Sequence, residues 1–408
     1  MRDKLLPLID KMIYWEMIII PFVASFSSAA VDIFIGLLIF TFLIKNFMVK
    51  NKTVTFGILD IPFILLIVIS LASFVNSINL HSSIQGIIKL LKYGFLIVIL
   101  CRELKDGEHF RKIILATVFG LFVGSLDAIY QLIFGVDLFR HKPYDLALGL
   151  ARLKGAFPHT NIFAGYLALF LPVATAVFLY ASKGKPKLYF GIVSMVALFC
   201  LIHTFCRSAV LGYWVAVLII ALLKKDKLVI ILLVAVVLIA PFFAPKNITD
   251  WSNKTKSVAE FLLNKERLII YETSFNMVKH HPILGVGVNT YCLNYQKYKL
   301  HDTGEGTANT MWYAHNSYLQ MASEIGIIGL LVFIYLLVKL FNGWRRFYSK
   351  LGDNSEKISS LGILTGILAF LIHGLTETNL YYPKIATLFW FQVGLLASLV
   401  YLKKKGVK

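Results

Sequence analysis

From Ile61 to Leu80 the chain carries no Asp, Glu, Lys or Arg. A block of that length cannot be kept from water by turning one helical face inward. Apolar residues gathered in such blocks, rather than in a 3.6-residue stripe, belong to helices that lie in lipid, where each backbone N–H and C=O is satisfied within its own segment. Stretches of about 18 or more mostly apolar residues recur at 12–27, 29–47, 57–76, 83–101, 111–134, 160–181, 188–204, 207–223, 227–244, 317–340, 358–376 and 383–402. The composition agrees, with 58% apolar and 15% charged residues. The expected fold is an all-α polytopic membrane protein of about 12 transmembrane helices. Its first stretch has a second reading as a signal peptide, since Arg2 and Lys4 precede an apolar run ending in Ser-Ser-Ala-Ala, but Asp10 and Glu16 fit that reading poorly.

A net charge of +19 would suggest nucleic acid as the partner of a soluble chain. Here the basic residues mark topology instead, so no nucleic acid is expected. With the N-terminus inside, the inner segments hold Lys45, Lys50 and Lys52, Arg102, Lys105, Arg111 and Lys112, Lys183 to Lys187, Lys224 to Lys227, Arg345 and Arg346, and the lysine-rich tail. The short outer connections are nearly bare: 77–82 and 377–382 have no Lys or Arg, and 204–207 has only Arg207. This asymmetry places both termini inside. Lys89 and Lys92 fall within the fourth stretch.

The chain therefore divides into spans one to nine over 1–244, with an outer loop at about 135–159, a large outer loop over 245–316, and spans ten to twelve over 317–408. A structureless loop of that length is uncommon, so helices are expected within it. SVAEFLLNKERLIIYETSFNMVKHH reads as an amphipathic helix or helix pair, stopped by Pro282 and a tight turn at Gly285-Val286-Gly287. Four cysteines give no disulfide framework, and a Cys206–Cys292 pair is left open. Cys200, His203 and Cys206, spaced by three, fit either a metal site or soft helix packing.

Polar groups that composition does not require collect at the outer face. Arg152, Lys154 and Asn161 stand in ARLKGAFPHTN before and at the start of the sixth span, Arg207 opens the eighth, Arg267 lies in the large loop, and His315 and Asn316 open the tenth. His373, Glu377 and Asn379 end the eleventh in HGLTETN. The sixth, eighth and tenth spans all begin at this face, so three helix N-termini could meet one anion. A cation at a helix N-terminus, such as Arg207, is unfavourable unless an anion sits opposite. Arginine matches phosphate oxygens with a flat fork of donors, though each one alone also fits an interfacial anchor. His315, at a helix N-terminus, is disfavoured as imidazolium, and a neutral ring can accept a proton or simply cap the helix. Glu324 lies nine residues on in a continuous helix, roughly 13 Å deeper. It reads as a hydrogen-bonded or protonated residue of the bundle interior, outside the chemistry.

RLKGAFPHTNIFAGYLAL, CRSAVL, ERLIIYETSFNMVKHHPILGVGVNTY and HNSYLQMASEIGIIGLL, in that order over about 150–335, resemble the O-antigen ligase and O-antigen polymerase superfamily. IHGLTETNLYYP is a looser echo. The resemblance implies a GT-C-like architecture with a helical periplasmic loop domain between spans nine and ten. It implies a glycosyltransferase of the bacterial inner membrane, with its active site facing the periplasm and with no cofactor and no metal. Its implied partners are a glycan donor on undecaprenyl diphosphate, a lipid A-core acceptor and membrane lipid. Carried over by position, Arg207, Arg267 and His315 are the catalytic residues, and Arg152, Lys154, Asn161, Asn316 and Glu377 bind diphosphate or glycan. His159 departs from the Asn common in relatives. A ligase is favoured because of the single large loop before the histidine. A polymerase would use the same residues, whereas a flippase or transporter would place ionisable groups near the midplane and often shows broken helices.

Overall fold

The computed structural model describes residues 2–49, 56–147, 149–181, 183–239, 265–300, 313–352 and 354–404. The first nine helices are α1 (Arg2–Val23), α2 (Ser28–Met48), α3 (Asp60–Ala72), α4 (Leu80–Glu103), α5 (Gly107–Phe134), α6 (Thr160–Tyr180), α7 (Gly184–His203), α8 (Arg207–Lys224) and α9 (Lys227–Ile239). Then follow α10 (Lys265–His280), α11 (Tyr291–Tyr298), α12 (Ser317–Lys350), α13 (Ser355–His373) and α14 (Pro383–Lys404). All twelve expected stretches are helical where described, and ten helices among the described residues are long and apolar enough to cross a membrane. α1 falls short because Asp10, Lys11 and Glu16 interrupt it, yet it packs on α2 and α5, where Thr41 donates to its buried Glu16 at 2.8 Å. For the ninth stretch, residues 240–244 lie outside the described residues, as do 245–264 and 301–312 of the large loop.

Helix starts follow local chemistry. Asn79, Asp106 and Asn354 each accept the N–H of the third residue after them, which satisfies an amide that has no partner inside the helix. α6 is the most enclosed helix, flanked by α7, α8 and α13, and α14 lies along α4. These buried helices make the floor on which the polar end is built.

Two parts of that end add to the sequence reading. The outer loop contains a short antiparallel hairpin, β1 (Asp145–Ala147) and β2 (Leu150–Arg152), with Asp145 opposite Arg152. The described part of the large loop, α10 and α11, buries a small core of its own, including Ile270, Met277, Tyr291 and Tyr295. Pro282 and the glycines do end α10 in a turn, with φ of +66° at Gly285 and +108° at Gly287. That turn does more than reverse the chain.

α12 was expected to be continuous, but it breaks immediately after Glu324, where Ile325 and Gly326 leave helical geometry and Gly326 has φ +73°. The Pro282–Tyr291 segment fills the break: Val286 and Gly287 donate their N–H groups to the Ser323 and Glu324 carbonyls at 2.8 and 3.0 Å, and Ile327 donates to the Pro282 carbonyl at 2.8 Å. The freed backbone groups are thus paired within protein, as non-helical chain in a span requires. Glu324 is interior, as expected, but its partners are mainly backbone. Its carboxylate accepts from the Asn289 N–H at 2.8 Å, the Tyr291 N–H at 3.3 Å and the Gln320 amide at 3.3 Å.

A Cβ at Gly326 would run into the Ile283 carbonyl and would hold an L-residue at positive φ. Gly326→Ala should therefore cost about 1–3 kcal/mol or more. In detergent this should appear as a thermal midpoint several degrees lower, and an unchanged midpoint would contradict the described break.

Candidate active site

The polar end is organised by the Ser-free turn His373-Gly-Leu-Thr-Glu-Thr-Asn379 between α13 and α14. Five groups from two other segments, α10 and the start of α12, donate to its backbone. The Ser317 N–H reaches the Gly374 carbonyl at 2.8 Å, the Asn316 amide and the Tyr271 hydroxyl reach the Leu375 carbonyl, the Arg267 guanidinium reaches the Thr376 carbonyl at 2.9 Å, and the Ser317 hydroxyl reaches the Glu377 carbonyl. Thr376 is bonded at 2.6 Å to Ser208, one residue after Arg207. The turn thereby gathers the starts of α8, α10 and α12.

Glu377 sits at its centre, 3% exposed. Its Oε1 accepts from Arg267 Nη2 at 2.5 Å and from Asn161 Nδ2 at 2.6 Å, and its Oε2 lies 3.2 Å from His315 Nδ1. Burial pushes the carboxyl pKa up, but the His315 hydrogen bond and the Arg267 charge outweigh it and hold Glu377 below the ordinary value of 4.5. With Glu377 ionised, His315 Nδ1 is the donor in this bond. His315 itself has φ +47° and is held by Tyr271, whose hydroxyl donates to its carbonyl at 3.1 Å.

The network continues through Asn161, whose Oδ1 accepts from Arg152 Nη2 at 2.9 Å, while Arg152 Nε donates to the Thr204 carbonyl. Two of the five guanidinium N–H groups of Arg152 are used in this way, and the residue lines a cleft of about 270 Å³. Arg152, Asn161, His315 and Glu377 line this cleft together with Asp145, His159, Thr160, Asn379 and Tyr382. Of these last five, Asn379 stood in the HGLTETN segment, and Tyr382 carries a ring tilted against that of Tyr313 at 5.0 Å between centroids. Asp145 had no signal, because its place depends on the hairpin.

The remaining expected site residues do not line the cleft. Arg207 is exposed at the start of α8, where its charge and that of Arg267 act on each other. The Lys154 ammonium is paired with Asp145, and Asn316 is engaged at both ends of its amide, accepting from Tyr318 and Leu319 and donating to Leu375.

Three helix N-termini were expected around one anion. α6 is met by a resident carboxylate instead, since Asp145 Oδ2 accepts the Thr160 N–H at 3.2 Å and its hydroxyl at 2.9 Å. Asn316 caps α12 in the same sense. The positive groups left for a ligand are therefore chiefly side chains. Cys200, His203 and Cys206 turn to three different partners, the Ser125 carbonyl, the Phe199 carbonyl and His373, which is the packing reading of that triplet.

Residues 192–334 match the family model described as O-antigen ligase. That stretch runs from α7 into α12 and contains Arg207, Arg267 and His315, while Arg152, Asn161 and Glu377 lie outside it. Comparison with curated proteins returns no match. Within the matched segment, Arg267 and His315 both bond to the turn between α13 and α14 and Ser208, next to Arg207, bonds to its Thr376, so the part of the chain that is similar to the O-antigen ligase family model is the part that meets this turn.

Proposed function

We propose that the chain is an O-antigen ligase, an inverting, metal-independent glycosyltransferase that moves a glycan from undecaprenyl diphosphate to lipid A-core. In this reading the cleft faces the periplasm of a bacterial inner membrane and both termini are cytoplasmic. The observation that carries the reading is the single buried carboxylate of Glu377, bonded to both His315 and Arg267. A proton acceptor and a phosphate-binding cation are thereby held at one fixed separation.

The acceptor hydroxyl attacks the anomeric carbon, its proton passes to His315 Nε2, and the new C–O bond forms as the bond to the diphosphate oxygen breaks. The bonding pair leaves on that oxygen. Donors fixed where this charge develops stabilise the transition state without reorganising. Arg152 lines the cleft, Arg267 is bonded to Glu377 in its wall, and the charge of Arg207 acts on that of Arg267. Glu377 orients the imidazole and stabilises the imidazolium that forms, as a carboxylate beside a catalytic histidine does. The break in α12 is a feature shared with transporters, but here it is filled by the Pro282–Tyr291 segment, and the ionisable groups of the cleft crowd one end of the bundle.

Purified protein supplied with lipid-linked glycan and lipid A-core should transfer the glycan to the core. Growth of the carrier-bound chain without added core would refute the ligase reading in favour of the polymerase. In the same assay His315→Ala should lower the transfer rate by about 10²-fold or more, because it removes the general base. Full activity in that variant would remove the base assignment.

The depressed pKa of Glu377 also fixes a pH window. The stability it contributes is complete above the ordinary value of 4.5 and is lost only as pH falls through the lower folded-state value. The gap in thermal midpoint between wild type and Glu377→Gln should stay constant above about pH 5 and shrink below it. A gap that closes near neutral pH would contradict the ionised, paired carboxylate.

A further inference from the structure

Among the ionisable residues in the spans that have no part in the transfer described above are Lys89 on α4 and Glu324 at the break in α12. A charge within a span is costly, and it persists where it meets a partner, a cavity or a ligand. Both residues line one open cavity of about 100 Å³ between α3, α4, α12 and α14. Its walls are largely apolar, formed by side chains such as Leu66, Leu90, Met321 and Trp390.

The two charges are not equivalent. Glu324 is taken up by the Asn289 and Tyr291 N–H groups and by Gln320, so its carboxylate holds the inserted segment in place. Lys89 gives one N–H to Asn289 Oδ1 at 3.1 Å, and an ammonium has three to give. The cavity therefore combines a hydrocarbon-like wall with a cation at its edge, the chemistry of an anionic head on an apolar chain. The outer faces of the same helices carry exposed Val68, Ile88 and Ile328, as lipid-facing helices do.

The cavity also adjoins the transfer site. In the turn after Thr378, Asn379 and Tyr382 line the cleft of His315, and Leu380 and Tyr381 between them line this cavity. One short turn of backbone separates the two.

We infer that this cavity is a second lipid site, which seats the phosphate of an amphiphile on Lys89 and its hydrocarbon against the apolar wall, and that the amphiphile is the acceptor of the transfer. The assignment to the acceptor rests on the proposed function. The lipid-phosphate site itself does not. In a displacement that inverts the anomeric carbon, acceptor and leaving group approach from opposite sides. The arginines that would hold the leaving diphosphate stand with α6, α8 and α10, whereas this cavity stands with α3 and α4.

The test is lipid binding to the purified full-length protein, measured by native mass spectrometry with two separate probes, a polyprenyl phosphate and phosphatidylglycerol. Retention of either probe by wild type, weakened about tenfold by Lys89→Gln and kept by Lys89→Arg, is expected, and which probe is retained identifies the source of the phosphate. Met321→Trp, which fills the cavity and leaves the charge, should weaken the same binding and guards against a Lys89→Gln protein that fails to fold. Binding of neither probe, or binding that ignores both variants, overturns the site. Because no turnover is required, that result leaves the transfer reading standing, and failure of transfer leaves the lipid site standing. In the transfer assay Lys89→Gln should raise KM for the acceptor about tenfold with KM for the donor unchanged. A rise in donor KM alone would overturn the acceptor assignment.

Discussion

An ionised carboxylate buried to the extent of Glu377 survives only where hydrogen bonds and opposite charge replace the water it has lost. Glu377 finds that replacement in Arg267, Asn161 and His315, which come from α10, α6 and the residues before α12. None of these partners is near it in sequence, so the carboxylate acts as a tie between the bundle and the loop helices. Removing one donor would leave the charge short of compensation, which makes the four side chains interdependent. The electrostatic demand of one group thus sets where His315 and Arg267 stand, and Arg152 joins through Asn161.

The broken helix supplies the mechanical counterpart. α12 carries His315 and Asn316 at its head, and the break after Glu324 lets the Pro282–Tyr291 segment reach between α4 and α12. The helices of the loop are therefore anchored at depth and do not simply rest on the bundle. With α10 fixed at its C-terminal end by this insertion and near its N-terminal end by Arg267, the guanidinium is placed by two contacts far apart in the chain. Glu324 has a physical role in that anchor, since it accepts two amides of the inserted segment.

Much of this was legible in the amino-acid sequence, and the illegible parts share a cause. The helical stretches followed from apolar length, because in lipid each segment must satisfy its own backbone. The start of α12 at Asn316 was also legible, although the sequence reading assigned Asn316 to a ligand and offered capping for His315, whereas Asn316 is the cap. The site could be located to one end, since Arg152, Arg267, His315 and Glu377 all fell at ends assigned to the same side. What residue order does not contain is contact between distant segments. The His315–Glu377 bond spans 62 residues and the Arg267–Glu377 bond spans 110, so Glu377 read as a ligand-binding group and its grip on the other two was hidden. Gly326 resembled an ordinary small residue in an apolar run, and its positive φ is imposed by a segment some forty residues away. Asp145 was invisible for the same reason, because only the hairpin brings it to the start of α6.

The central claim is that His315 and Glu377 act as one unit in transfer. A double-mutant cycle on the rate of glycan transfer tests it most directly, with His315→Ala, Glu377→Gln and the combined variant measured beside wild type. If the carboxylate works through the imidazole, the combined variant should be about as slow as His315→Ala alone, as for residues that act together in a catalytic unit. Losses that multiply, so that the combined variant is slower by the product of the two single effects, would show the two residues acting independently and would contradict the account.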